Sequence, residues 1–141
     1  MRILIILLFA LTLLSCSRGN STPAAEASAI ACTAAYRSSV SGPIEREETV
    51  TFADADAEQA LTFDELVFHA AYATGEMNNE RSLRTWVTVL DESVIYNSQL
   101  YQLPLESGPS NQFVGGHGFT GLNYSYHPDS SAELQFWCEA Q

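Results

Sequence analysis

The sequence predicts an all-β protein: a single antiparallel β-sandwich, or a small barrel, behind a flexible N-terminal tether. From residue 43 onward apolar and polar residues alternate with period two, which sets one face of each extended segment against a core and the other toward solvent. Clusters of Gly, Pro, Asn, Asp and Ser interrupt that alternation at short intervals, as strand-connecting turns do. A composition of 46% hydrophobic and 11% aromatic residues is that of a folded domain. The 126 residues beyond position 15 of the 141-residue chain are enough to bury about two thirds of their unfolded surface around one core.

In chain order, the first segment is an export signal. Arg2 precedes an apolar run over residues 3–14, which is shorter than the ~20 residues that span a bilayer and matches a signal h-region. The run ends in Leu13-Leu14-Ser15-Cys16, which resembles the lipobox of bacterial lipoproteins. The resemblance covers the signal alone. It implies cleavage after residue 15, acylation of Cys16 and stable membrane attachment once two or more chains are present. Ser17 after the cysteine implies, by the sorting rule of diderm lipoproteins, the outer membrane. The alternative is Ala27-Ser28-Ala29 as an ordinary secretory cleavage site, giving a soluble product, but it lies some fifteen residues past the apolar run. Residues 16–29, rich in Ser, Gly, Asn, Thr, Pro and Ala, read as a flexible tether. Residues 30–141 form the domain.

With Cys16 assigned to lipid, Cys32 and Cys138 remain as a pair in an oxidising compartment. Their disulfide ties the two ends of the domain together.

Within the domain, residues 32–40 read as a strand or short helix before Ser41-Gly42-Pro43. Residues 48–53 place Val50 and Phe52 on one face and Thr49 and Thr51 on the other. Asp54-Ala55-Asp56-Ala57-Glu58 turns the chain, and residues 60–63 return. Residues 62–74 are ambiguous. Thr62-Phe63-Asp64-Glu65 has the capping-box pattern, and Phe63, Leu66, Val67, Ala70 and Ala71 follow helical spacing to Gly75. Yet residues 66–73 also alternate, and a hairpin with residues 83–90 supplies both with partners, so strand is favoured. Strands follow at 94–103, 118–126 and 133–138, the last with Leu134, Phe136 and Cys138 on one face.

Composition limits the partners. After cleavage five arginines and no lysine face seventeen Asp and Glu, a formal charge of −12. Nucleic acid needs clustered cations, so it is excluded as a partner. Gly116-His117-Gly118-Phe119-Thr120-Gly121 fits the spacing of a dinucleotide loop, but no helix follows to receive a pyrophosphate, so no nucleotide is expected. His69, His117 and His127 lack the close spacing of a metal site, and the Asp54 to Glu58 turn lacks the glycine and distal glutamate of a calcium loop. No cofactor and no catalytic residue is assigned.

The expected role is therefore a non-catalytic binding or interaction module of the cell envelope, attached to the membrane through Cys16. The alternatives are a glycan-binding module using Trp86, Trp137, Tyr124 and Tyr126, an inhibitor of a cationic envelope protein, and a hydrolase using His117 or His127. The expected face lies in residues 113–128. There Leu122, Tyr124 and Tyr126 point to the core, and His117, Asn123, Ser125 and His127 offer a polar row to a ligand.

Overall fold

A computed structural model describes residues 29–75, 80–104, 108–113 and 115–141. The signal, Cys16 and the tether lie outside the described residues. Eight strands run in chain order: β1 (Ile30–Arg37), β2 (Arg46–Phe52), β3 (Ala57–Thr62), β4 (Leu66–Thr74), β5 (Arg81–Val89), β6 (Ile95–Leu103), β7 (Asn123–Tyr126) and β8 (Glu133–Ala140). They form two four-stranded antiparallel sheets, ordered β2-β1-β8-β7 and β3-β4-β5-β6, packed face to face as a β-sandwich. No helix long and apolar enough to cross a membrane occurs among the described residues.

The ambiguous stretch 62–74 is resolved as strand β4. It is central in its sheet, paired to β3 through Leu61↔Phe68 and to β5 through Phe68↔Val87. Val67 and His69 are buried on the outer side as Leu66, Phe68 and Ala70 are on the inner. Apolar residues are thus wanted on both faces, and that doubled demand mimics helical spacing. The capping-box tetrapeptide is a tight turn closed by Phe63 N–H donating to Leu66 C=O at 2.9 Å.

Inward residues of both sheets interdigitate. Phe68 packs on Phe136 at 5.2 Å between ring centroids, Tyr36 stacks on Phe63 at 5.6 Å and Phe52 meets Tyr72 edge-on at 6.3 Å. Truncating a fully buried ring such as Phe68 or Phe136 removes about 3–5 kcal/mol. Cys32 and Cys138 face each other across the β1–β8 ladder and are bonded, S–S 2.09 Å.

The glycine-rich stretch is a turn, and the strand expected from residue 118 begins only at Asn123. Gly118 and Gly121 have φ of 58° and 71°, a region open to glycine at little cost. At Gly118 the reason is also steric, because a Cβ there would collide with the backbone of Cys138 and Glu139. Phe119 N–H donates to Cys138 C=O at 3.0 Å, and Cys138 N–H donates to Thr120 Oγ1 at 2.7 Å, so the turn continues the ladder that short β7 leaves unfinished.

Candidate binding face

On β8 the parity is fixed by Leu134, Phe136 and Cys138, all in the core, so Glu133, Gln135 and Trp137 stand on the outer face. The register Tyr124↔Gln135 and Tyr126↔Glu133 then puts both tyrosines on that outer face, 45% and 54% exposed. This inverts the sequence expectation for residues 123–126. Ser125 points inward opposite Leu134 and is buried, and Asn123 lies opposite Phe136.

The inversion has a physical cause. Short edge strand β7 faces β6 across the gap between the sheets, and the inner side of β6 is polar there. Gln99 Nε2 donates to Asn123 Oδ1 at 2.8 Å, Asn97 Nδ2 donates to Tyr124 C=O at 3.5 Å, and the Tyr101 hydroxyl donates to Gln99 Oε1. The sandwich is closed on this side by amides, so β7 turns the Asn123 amide inward and its amphipathic rings outward, and alternation carries the small Ser125 side chain inward with it, its hydroxyl without a partner among the described residues.

Three levels of the outer face follow from the register. Tyr126, Glu133 and Arg37 form the first; Tyr124, Gln135, Ala35 and Glu47 the second; Trp137, Thr33 and Thr49 the third. Arg37 Nη2 lies 2.8 and 2.9 Å from the two Glu133 oxygens, and Gln135 Nε2 donates to Glu133 at 2.7 Å. Burial raises the Glu133 pKa, but the hydrogen bonds from Arg37 and Gln135 outweigh it and leave the group below the usual glutamate value. The Tyr126 pKa is raised, first by burial and then by the Glu133 charge and hydrogen bond. His117 meets Trp137 edge-on at 5.3 Å.

The remaining expected residues fall elsewhere. His127 sits past the end of β7, with its N–H on Ala132 C=O, five residues along β8 from Trp137, or roughly 17 Å. The structure therefore does not bring His117 and His127 together. His127 Nδ1 accepts from Asp129 N–H at 3.3 Å, and Glu65 at 3.9 Å is beyond hydrogen-bond reach. His127 lines an open cleft of about 480 Å³ with Asp64, Glu65, Asp91 and Asp129. Tyr36 donates to Glu65 Oε1 at 3.3 Å, and burial followed by the charge of Glu65 pushes its hydroxyl up to about 12. Among the described residues no group of His, Cys, Asp or Glu is arranged to hold a metal ion.

Trp86, grouped with the other aromatics at the sequence level, lies on the outer face of the opposite sheet. It stacks on His69 at 4.9 Å with 4° between planes, under the Arg84 guanidinium at 4.9 Å, while His69 Nε2 lies 3.0 Å from Thr88 Oγ1. Burial lowers the His69 pKa. The unfolded chain takes up that proton near pH 6.5 and the folded one does not. Stability from neutral His69 is therefore full above about pH 6.5 and is lost as pH falls through the depressed folded value. Urea unfolding at pH 7, 6 and 5 is expected to show this loss in wild type and a flatter profile in His69→Asn; equal slopes would count against it. Carboxylates with lowered pKa, such as Asp56 and Asp91, act only below about pH 4.

No protein family, curated protein or solved structure matches this chain.

Proposed function

We propose that the chain is a non-catalytic binding module of the bacterial cell envelope, lipid-anchored through Cys16, with the outer face of the β2-β1-β8-β7 sheet as its contact surface. The observation that carries this reading is the gathering of Tyr124, Tyr126 and Trp137 on one sheet face, the two tyrosines about half exposed. Aromatic rings grouped in solvent mark contact surfaces, since a ring with no partner gains more by burial. The lipobox and tether add the means of presentation, a folded face held away from a membrane by residues 16–29. A hydrolase finds less support, because the one histidine–hydroxyl pair described, His69 with Thr88, is buried on the other sheet.

Two measurements test the proposal. Cys16→Ala is expected to abolish fatty-acid labelling and membrane attachment, and a variant that stays labelled removes the anchor from the proposal. Residues 17–141, exported without the anchor, are expected to be retained by isolated cell envelopes, and Tyr124→Ala/Tyr126→Ala to reduce the bound fraction at least ten-fold with little change in melting temperature. Retention that ignores those substitutions and fades with salt would instead indicate a cationic envelope protein drawn by the acidic surface.

A further inference from the structure

Resting on the binding-module reading, we infer that the ligand of this face is an uncharged polysaccharide, with successive pyranose rings stacked on Tyr126, Tyr124 and Trp137. The geometry is that of a track. Tyr126 and Tyr124 occupy two successive outward levels of the β7–β8 ladder, and Trp137 takes the next outward position on β8, one step beyond the ladder's last pair. Each level advances by two residues, so the track runs for roughly 13 Å along the strands. A single file of rings suits a linear ligand whose repeat unit has an apolar C–H face and a polar rim.

The groups beside the rings fit that rim. The Gln135 amide gives one N–H to Glu133 and keeps its carbonyl and second N–H, directly between Tyr124 and Ala35. Thr49, exposed at the level of Trp137, shares a hydrogen bond of 2.8 Å with buried Thr33 and keeps further capacity in its hydroxyl. A protein partner would be met by a broader apolar centre. Here the centre is an ion pair and an amide, and apolar rings lie along one side only.

Charge selects within the polysaccharides. Arg37, the one cation among the outward positions of this sheet, is bound to Glu133 and to Gly42 C=O at 3.1 Å. Glu47 and Glu139 add negative charge to the same face, and the chain as a whole carries −11. A phosphate-bearing or uronic-acid polymer is repelled, and a neutral chain is not.

The test is native affinity electrophoresis of residues 17–141 through gels carrying hydroxyethylcellulose, laminarin, galactomannan, alginate or glycol chitosan. Retardation is expected in at least one of the three neutral polymers, unchanged by ~0.5 M salt, and none in alginate. Tyr124→Ala/Tyr126→Ala and Trp137→Ala are each expected to weaken it about ten-fold, and Gln135→Ala a few-fold. Tyr124→Thr/Tyr126→Thr, which keeps β-propensity, serves if the alanine variant loses its near-ultraviolet dichroism. The inference is overturned by no retardation in any neutral gel, by retardation confined to glycol chitosan and lost in salt, or by full retardation of the tyrosine variants. Envelope retention that needs the same rings, survives periodate oxidation of envelope glycans and is destroyed by protease also overturns it, yet leaves the binding-module reading intact. Absence of any envelope retention removes both.

Discussion

Reducing the Cys32–Cys138 disulfide is expected to lower stability by about 2–5 kcal/mol. The two residues are 106 positions apart, so the crosslink spans nearly all of the fold and restricts the unfolded chain as a closed loop. Both are buried at directly opposed positions of central strands, and reduction leaves two thiols in an otherwise unchanged ladder. Denaturant unfolding with and without reductant measures the difference, and the Cys32→Ala/Cys138→Ala variant should match the reduced protein. A midpoint unmoved by reductant, with thiol titration showing full reduction, would contradict the expectation.

Arg37→Ala is expected to cost about 3 kcal/mol or more, because it leaves the Glu133 carboxylate in a site 2% exposed without its counter-ion. The sign of the pH dependence separates this from lost packing. In wild type the Glu133 pKa is lowered, so the pair stabilises above about pH 4.5 and that contribution is lost as pH falls through the folded value. Without Arg37, burial is opposed only by the Gln135 and Tyr126 hydrogen bonds, and the folded pKa rises from its lowered position. The variant's deficit should then be small near pH 4 and grow as pH rises to 7. Arg37→Ala/Glu133→Gln, which removes the charge, should recover most of the loss at pH 7. A deficit independent of pH, or no recovery in the double variant, would assign the effect to packing.

The sandwich was legible because one-sided burial prints itself on strands such as β2 and β8, where Val50 with Phe52 and Leu134 with Phe136 mark the inner side. Cys32 and Cys138 were legible as a pair because two cysteines left over allow one bridge. The facing of β7 was not. Alternation gives two sets of residues but not which set is inside, and hydropathy put Tyr124 and Tyr126 there. The deciding information, the polar inner side of β6 at Asn97 and Gln99, lies some twenty-five residues away and becomes relevant only once the two sheets are stacked. Trp86 was grouped with Trp137 for the same reason: sequence shows which residues are aromatic, and topology decides which of them share a sheet. Glycine clusters of this kind mark positive φ or a close approach, and at Gly118 the close neighbour is the chain's own β8.

The position of the crosslink also sets how the molecule answers to force. A pull delivered through the chain ahead of Ile30, against a ligand held on β7 and β8, enters at the first residue of β1 and would peel that strand from its neighbour bond by bond. Cys32 lies two residues in, covalently joined to β8 itself. The load therefore crosses to β8 after two residues and reaches β7 through residues 127–137, so residues 33–122 are held out of the covalent tension path. On the proposed anchoring and ligand, such a domain should yield at either attachment before its sheets come apart.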